Sequence, residues 1–195
     1  MVFVFNGNAL SEAKPDRIHT QLAAQQLIAH GDRAVQLTTP AMNSPRDFYQ
    51  LADEVLAISK GQPIGLMGFS AGGTLAIRLS QVARLNVKAA MNYYGAPDLA
   101  DWLKYHQGDR FYKYVTTHVQ FDSGLIALLS GPSPSKAFIV SAFGLADHNC
   151  VSSVSTASVN RDFQHGQVFD YPGGHEVTLY ADYAAFEDFL SHLSG

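Results

Sequence analysis

The segment Ile64-Gly65-Leu66-Met67-Gly68-Phe69-Ser70-Ala71-Gly72-Gly73-Thr74-Leu75 carries three signals in a row. An apolar run leads in, a G-x-S-x-G sequence stands at its end, and a helical pattern leads out with Leu75, Leu79 and Val82 on one stripe. Strand, sharp turn and helix in that order is the setting in which such a serine has chemical meaning. The turn holds the serine in a strained backbone conformation and lifts its Oγ above the carboxyl edge of a sheet. Glycine stands at 68 and 72 because a Cβ there would collide across so tight a bend. The plain alternative is a glycine-rich helix start with Ser70 as its N-cap.

Outward from this bend, short apolar runs alternate with helix-periodic segments, the rhythm of βαβ units around a parallel sheet. Val2-Phe3-Val4-Phe5, ending in Asn6-Gly7, reads as a buried first strand, and Ala34-Val35-Gln36-Leu37 as a short second one. Between them a helix is expected from about Pro15 to His30-Gly31. Ser44 as N-cap and Pro45 at the first position open a second helix, with Phe48, Leu51, Ala52, Val55 and Leu56 on one face before Gly61. Ile64 to Met67 is the third strand, Ala89 to Tyr94 the fourth, Ala137 to Phe143 the fifth and Gln167 to Tyr171 the sixth. A closing helix repeats Leu179, Tyr183, Phe186, Leu190 and Leu193 at helical spacing. The expected fold class is α/β: six parallel strands with helices on both faces, in one domain spanning 1–195.

One interval breaks the rhythm. Pro97 to Ser135 is far longer than the usual connection of roughly 2–6 residues plus a helix. Its first part holds Trp102, Tyr105, Phe111, Tyr112, Tyr114 and Phe121; Ser123 to Ser130 suits a short helix, and Gly131-Pro132-Ser133-Pro134 a turn. Residues 97–135 therefore read as a small cap over a site, or as an extra helix packed on the sheet edge.

Composition narrows the function classes. The chain has 195 residues, 47% of them apolar and 15% charged, with a formal net charge of −4, which excludes a disordered chain. Thirteen basic against seventeen acidic residues argue against a nucleic-acid partner. A membrane span needs about 18 or more consecutive apolar residues, and the best uncharged run, Pro63 to Ile77, holds four glycines and a serine. Met1 to Gly7 has no basic leader to suggest a signal peptide, and the single Cys150 can form no internal disulfide. A reducing compartment, the cytoplasm, is the expected location. No Cys/His spacing suggests a metal.

A serine hydroxyl is a poor nucleophile near neutral pH, so it needs a base, and that base needs an orienting carboxylate. In an open α/β sheet these groups lie just beyond the carboxyl ends of strands. His175, after Tyr171-Pro172-Gly173-Gly174, satisfies this, and so does Asp147, four residues past Phe143. Asp98, after the fourth strand, is a rival acid; Asp170 and Asp122 read as surface or capping groups. Among the other histidines, His19, His30 and His192 are expected to face solvent on helices. His165 falls at the wrong sheet edge, and His148 points away if Asp147 points in. His106 and His118 belong to the long connection. Cys150 reads as a small buried filler. An oxyanion hole needs two converging donors: the Ala71 N–H follows the serine, and the Asn8 N–H, after Gly7, is the expected second. Trp102, Phe111 and Tyr112 are expected to line an apolar substrate pocket. No arginine pair, among Arg78, Arg84, Arg110 and Arg161, is evidently set for a substrate carboxylate.

These features resemble the α/β-hydrolases, and within them the dienelactone-hydrolase-like branch. The likeness rests on Gly68-Phe69-Ser70-Ala71-Gly72-Gly73, Ala89-Ala90-Met91-Asn92-Tyr93-Tyr94-Gly95, Asp147-His148-Asn149-Cys150-Val151 and Tyr171-Pro172-Gly173-Gly174-His175, in the family's order. It implies a Ser70 nucleophile, His175 as general base then acid, and Asp147 as its orienter, with no metal or organic cofactor. Dienelactone hydrolase itself has cysteine at the elbow. The chain also opens in what looks like the family's third strand, without the two antiparallel strands that precede it, and so resembles small bacterial serine esterases. The implied activity is cleavage of a small-molecule carboxylic ester or thioester through an acyl-enzyme. Acyl transfer on the same three residues, or a non-catalytic binding protein on the same fold, are the alternatives.

Overall fold

Along Val2-Phe3-Val4-Phe5 every side chain is buried, as a strand covered on both faces requires. Phe3 and Phe5 join one hydrophobic cluster, Val2 and Val4 a second on the opposite side. The computed structural model describes residues 1–176 and 183–193. Its six strands are β1 (Val2–Phe5), β2 (Ala34–Leu37), β3 (Ile64–Phe69), β4 (Val87–Tyr93), β5 (Phe138–Gly144) and β6 (Gly166–Tyr171). They pair in the order β2-β1-β3-β4-β5-β6, all parallel. No antiparallel strand joins this sheet among the described residues.

Helices cover both faces. α2 (Pro45–Ser59) and α3 (Ala71–Leu79) pack with Phe3, Phe5, Ile64 and Leu66; α1 (Thr20–Ala29) and α8 (Tyr183–Leu193) pack with Val2, Val4, Met67 and Phe69. α2 starts at the expected Ser44-Pro45, where the Asp47 carboxylate closes a capping box. α1 starts later than the sequence suggests, at Thr20 rather than near Pro15. The Asp16 carboxylate accepts the N–H groups of His19 (2.8 Å) and Thr20 (3.0 Å), so the chain turns there before it winds. Leu179 of the expected closing helix lies outside the described residues. None of the helices described is long and apolar enough to cross a membrane.

The order of strands positions the site. The chain leaves β1 toward β2 on one side and toward β3 on the other, so the carboxyl ends of β1 and β3 are neighbours at the switch point of the sheet, where open α/β folds place their ligands. Phe5 pairs with Gly68, which sets the Asn6–Leu10 loop beside Ser70.

Between β4 and β5 the long connection folds into α4 (Leu99–Tyr105), α5 (Arg110–His118) and α6 (Ser123–Leu128). Asp98, Asp109 and Asp122 each stand just before one of these helices and accept its first free N–H groups. Its two ends are stapled together. The buried Arg78 of α3 donates to the carbonyls of Pro97 and Gly131, and Asp98 accepts the Gly131 N–H at 2.8 Å. Arg161, in α7 (Ser152–Asp162), reaches Asp98 at 2.6 Å and Asp101 at 2.7 Å. Hydrogen bonds to Asp162 and Asp101 hold the Arg161 guanidinium above its ordinary pKa.

This cluster has a pH signature. Burial works to raise the Asp98 carboxyl, but the N–H groups of Gly131 and Asp101 and the charge of Arg161 outweigh it, so its pKa lies below the ordinary value. A carboxyl depressed on folding contributes stability that is present above the unfolded-state pKa and lost as pH falls through the folded-state one. The thermal midpoint is expected to fall as pH drops below about 4, and Asp98→Asn to flatten that acid limb. Equal acid limbs in the two proteins, measured by circular dichroism, would remove Asp98 from this role.

Candidate active site

Ser70 sits between β3 and α3 with φ 52° and ψ −129°, a left-hand conformation that non-glycine residues rarely adopt. The bend is affordable only because its neighbours lack side chains: a Cβ on Gly68 would run into the Gly72 backbone, and one on Gly72 into the carbonyls of Phe5 and Asn6. The Ser70 N–H is held by the Tyr93 carbonyl at 2.8 Å, which fixes the elbow to β4. Its side chain does not cap α3. Instead Oγ lies 2.8 Å from His175 Nε2.

His175 and Asp147 meet because β5 and β6 are adjacent and in register, Gly144 opposite Tyr171. The loops beyond them are tied by Leu145 N–H to the Tyr171 carbonyl (2.9 Å) and Ala146 N–H to the Gly173 carbonyl (2.7 Å). Asp147 Oδ2 then lies 2.8 Å from His175 Nδ1. Its Oδ1 accepts the N–H groups of Asn149 (2.7 Å) and Cys150 (3.0 Å), so the buried carboxylate is held from both sides. An acceptor-only carboxylate requires the proton of a neutral ring on Nδ1, leaving the Nε2 lone pair for the serine hydroxyl. Tyr94 packs edge-on against the imidazole at 4.7 Å.

Ala71 opens α3, so its N–H has no partner within the helix. Gly7 lies so close over the elbow that a Cβ there would overlap Ser70 Cβ and the Phe69 carbonyl. Asn8 is exposed, and the residues of its loop that border the pocket are Ala9 and Leu10, both with positive φ. The cavity beside Ser70 has a volume of about 190 Å³. Trp102 and Phe111 line it with Leu99, Val115 and Phe121; Tyr112 does not. Consecutive helix residues point about 100° apart, so once Phe111 faces the cavity Tyr112 is turned aside.

No protein-family model matches the chain, and no curated protein matches it by sequence. Solved structures do match in shape. An esterase of Pyrococcus furiosus superposes with a TM-score of 0.71 at 14% identity, covering 100% of this chain and 83% of that one. Mouse alpha/beta hydrolase domain-containing protein 10 gives 0.68 at 14%, with 98% and 90% covered. A monoacylglycerol lipase from Paleococcus ferrophilus gives 0.67 at 12%, with 99% and 93% covered. The fold is the α/β-hydrolase fold.

On this α/β-hydrolase frame the remaining candidates fall elsewhere. Asp98 accepts from Asp101, Gly131 and Arg161 rather than from His175. Asp122 caps α6, and Asp170 accepts the Ser152 hydroxyl. His148 is exposed and His30 pairs loosely with Asp32. His19 is not a free surface group: it is half-buried, bonded to Asp16 at 2.8 Å and packed on Phe69. His192 packs on Phe138. The His118 side chain lies outside the described residues.

His106 is the histidine whose surroundings sequence reasoning missed. It is buried, with Nδ1 2.7 Å from Asp109 and Nε2 2.9 Å from the Asn149 carbonyl, which also accepts Trp102 Nε1 at 2.7 Å. The connection between β4 and β5 is thus bonded directly to the loop that carries Asp147. Cys150 also lines the cavity, and burial, then the Asp147 charge, push its thiol well above the ordinary value. It stays protonated and acts as wall, not nucleophile.

Proposed function

We propose that this chain is a serine hydrolase that cleaves a small-molecule carboxylic ester or thioester through an acyl-enzyme. The observation that carries the proposal is the unbroken row Ser70 Oγ–His175 Nε2–His175 Nδ1–Asp147 Oδ2, two hydrogen bonds of 2.8 Å opening on an apolar cavity. That folds of similar shape include an esterase and a monoacylglycerol lipase supports the ester class. The finer likeness to dienelactone-hydrolase-like proteins rests on the motifs at 68–73, 147–151 and 171–175, and a cytoplasmic setting belongs to the same reading.

In the first step Ser70 Oγ bonds to the acyl carbon while His175 Nε2 takes the hydroxyl proton. The oxyanion is held by Ala71 N–H and, in this proposal, Asn8 N–H. The bond to the leaving oxygen or sulfur breaks, and His175 hands it the proton. Water then bonds to the acyl carbon, gives a proton to His175, and the Oγ–acyl bond breaks with the proton returning to Oγ. Acid and alcohol, or acid and thiol, are released.

The test is a fluorophosphonate probe together with a chromogenic short-acyl ester: labelling at Ser70 and turnover of the ester are expected, and a protein inert to both overturns the reading. Asp147→Asn probes the orienting role. Its carbonyl oxygen still accepts from Asn149 and Cys150, but its amide now donates toward His175 Nδ1 and forces the ring into the wrong tautomer. Turnover is expected to fall by about 10⁴-fold with an unchanged fold, measured as kcat on the same ester. A loss below tenfold would show that Asp147 does not set the tautomer.

A further inference from the structure

The cavity beside Ser70 carries more than the presence of a site. Among the described residues its lining holds no lysine, arginine, aspartate or glutamate. Its polar members are Ser70, Thr74, Asn149 and His175, and each already makes hydrogen bonds, Asn149 through its backbone. The Thr74 hydroxyl donates to the Ala96 carbonyl at 2.9 Å, His175 bonds to Ser70 and Asp147, and the Asn149 backbone serves Asp147, Trp102 and His106. None of the arginines nearest in sequence to the cavity walls lines the cavity, and three of them are bonded elsewhere. Arg78 is fully buried on Pro97, Gly131 and Asp162, and the half-exposed Arg161 is bonded to Asp98, Asp101 and Asp162. Arg84 pairs with Asp53 at 2.7 Å, and Arg110 is exposed. A carboxylate entering this cavity would lose its water and meet no cation.

Size sets the second limit. An apolar protein cavity of about 150 Å³ takes up benzene, and this one measures about 190 Å³. The Trp102 wall is fixed, since its Nε1 is tied to the Asn149 carbonyl at 2.7 Å and its ring packs against Phe111 at 5.4 Å. The acyl group stays bonded to Ser70 through both steps, whereas the alcohol leaves and water replaces it. The apolar cavity therefore suits the acyl side.

Resting on the serine-hydrolase reading, we infer that the substrate class is esters of compact, uncharged acyl groups, about four to eight carbons or one benzoyl ring, with Trp102 and Val115 setting the size limit. Carboxylate-bearing acyl groups are excluded by the absence of a partner charge.

The experiment is a series of p-nitrophenyl esters: acetate, butyrate, hexanoate, benzoate, laurate, and the glutarate half-ester as the charged counterpart of hexanoate. Rates are divided by the fraction of Ser70 that a fluorophosphonate labels. The expected result is a kcat/KM maximum between butyrate and hexanoate or at benzoate, with glutarate on the order of 10²-fold below hexanoate. Val115→Phe should move the maximum toward acetate and Trp102→Ala toward laurate, through KM more than kcat. Equal rates on glutarate and hexanoate, or a flat response to chain length in a labelled protein, overturn the inference and leave the serine-hydrolase reading standing. Absence of any labelling overturns that reading instead. Should Trp102→Ala fail to fold, Val115→Phe still decides the size limit.

Discussion

Ser70→Ala is expected to lower ester turnover by about 10⁶-fold and to abolish fluorophosphonate labelling. The Cys150 thiol beside the site cannot take over the attack, because it is buried and held protonated. The same change is expected to leave stability nearly untouched. The hydroxyl makes one hydrogen bond, to a ring that is 23% exposed and finds water instead. Alanine is also as strained as serine at φ 52°. Ser70→Gly separates the two properties further. It is equally inactive, yet glycine accepts this backbone freely, so the protein should gain about 1 kcal/mol in urea unfolding. Labelling that survives Ser70→Ala, mapped by mass spectrometry to another residue, would end the assignment of the nucleophile. A stable, unlabelled variant with undiminished turnover would end the acyl-enzyme itself.

What made the elbow legible was a conflict between composition and pattern. Glycines at 68, 72 and 73 are poor in both strand and helix, so their presence between an apolar run and a helical stripe marked a bend too tight for a Cβ. Asp147 and His175 followed from the same logic, because a parallel sheet brings its carboxyl ends to one edge and both residues stand just past such an end. The signals that failed were those that depend on apolar periodicity. α7, from Ser152 to Asp162, turns Ser155, Ser158, Val159 and Asp162 inward. Its buried face is satisfied by polar bonds, Ser158 Oγ to Asp101 at 2.9 Å among them, so no hydrophobic stripe announces it. α3 shows the opposite failure. Every residue from Gly72 to Leu79 is buried, including Arg78, so its stripe said nothing of what covers the other side. Asp98 illustrates a third limit. Its place after β4 suits a catalytic acid, and only the coordinates of Gly131 and Arg161 reveal that its bonds are spent on the feet of the β4–β5 connection.

Arg78→Ala is expected to cost about 3–5 kcal/mol of unfolding free energy, a large share of what a domain of this size holds. The side chain is wholly buried. Nε and Nη2 serve the Pro97 carbonyl, Nη1 serves Gly131 at 2.8 Å, and Asp162 lies 3.4 Å away. Burial lowers its pKa while Asp162 and Asp98 work to hold the charge. Truncation takes these donors from the buried Pro97 carbonyl and the half-buried Gly131 carbonyl, and leaves Asp162 with Arg161 as its remaining cation. Those carbonyls belong to the two feet of the β4–β5 connection, and the first foot leads through Leu99 to Trp102 on the cavity wall. The loss should therefore reach the site as a raised KM with a smaller change in kcat, because the row from Ser70 to Asp147 has no atom in common with the clamp. Arg78→Lys keeps the charge but has no planar fork to bridge Pro97 and Gly131, and should recover less than half of the loss. Arg78→Met keeps volume against Phe163, over which the guanidinium sits at 5.0 Å, and should fall between lysine and alanine. Urea unfolding of the three variants, with kcat and KM measured alongside, separates charge, fork and packing. An alanine variant within 1 kcal/mol of the parent would mean that water reaches both carbonyls, and that the connection is held by its apolar contacts alone.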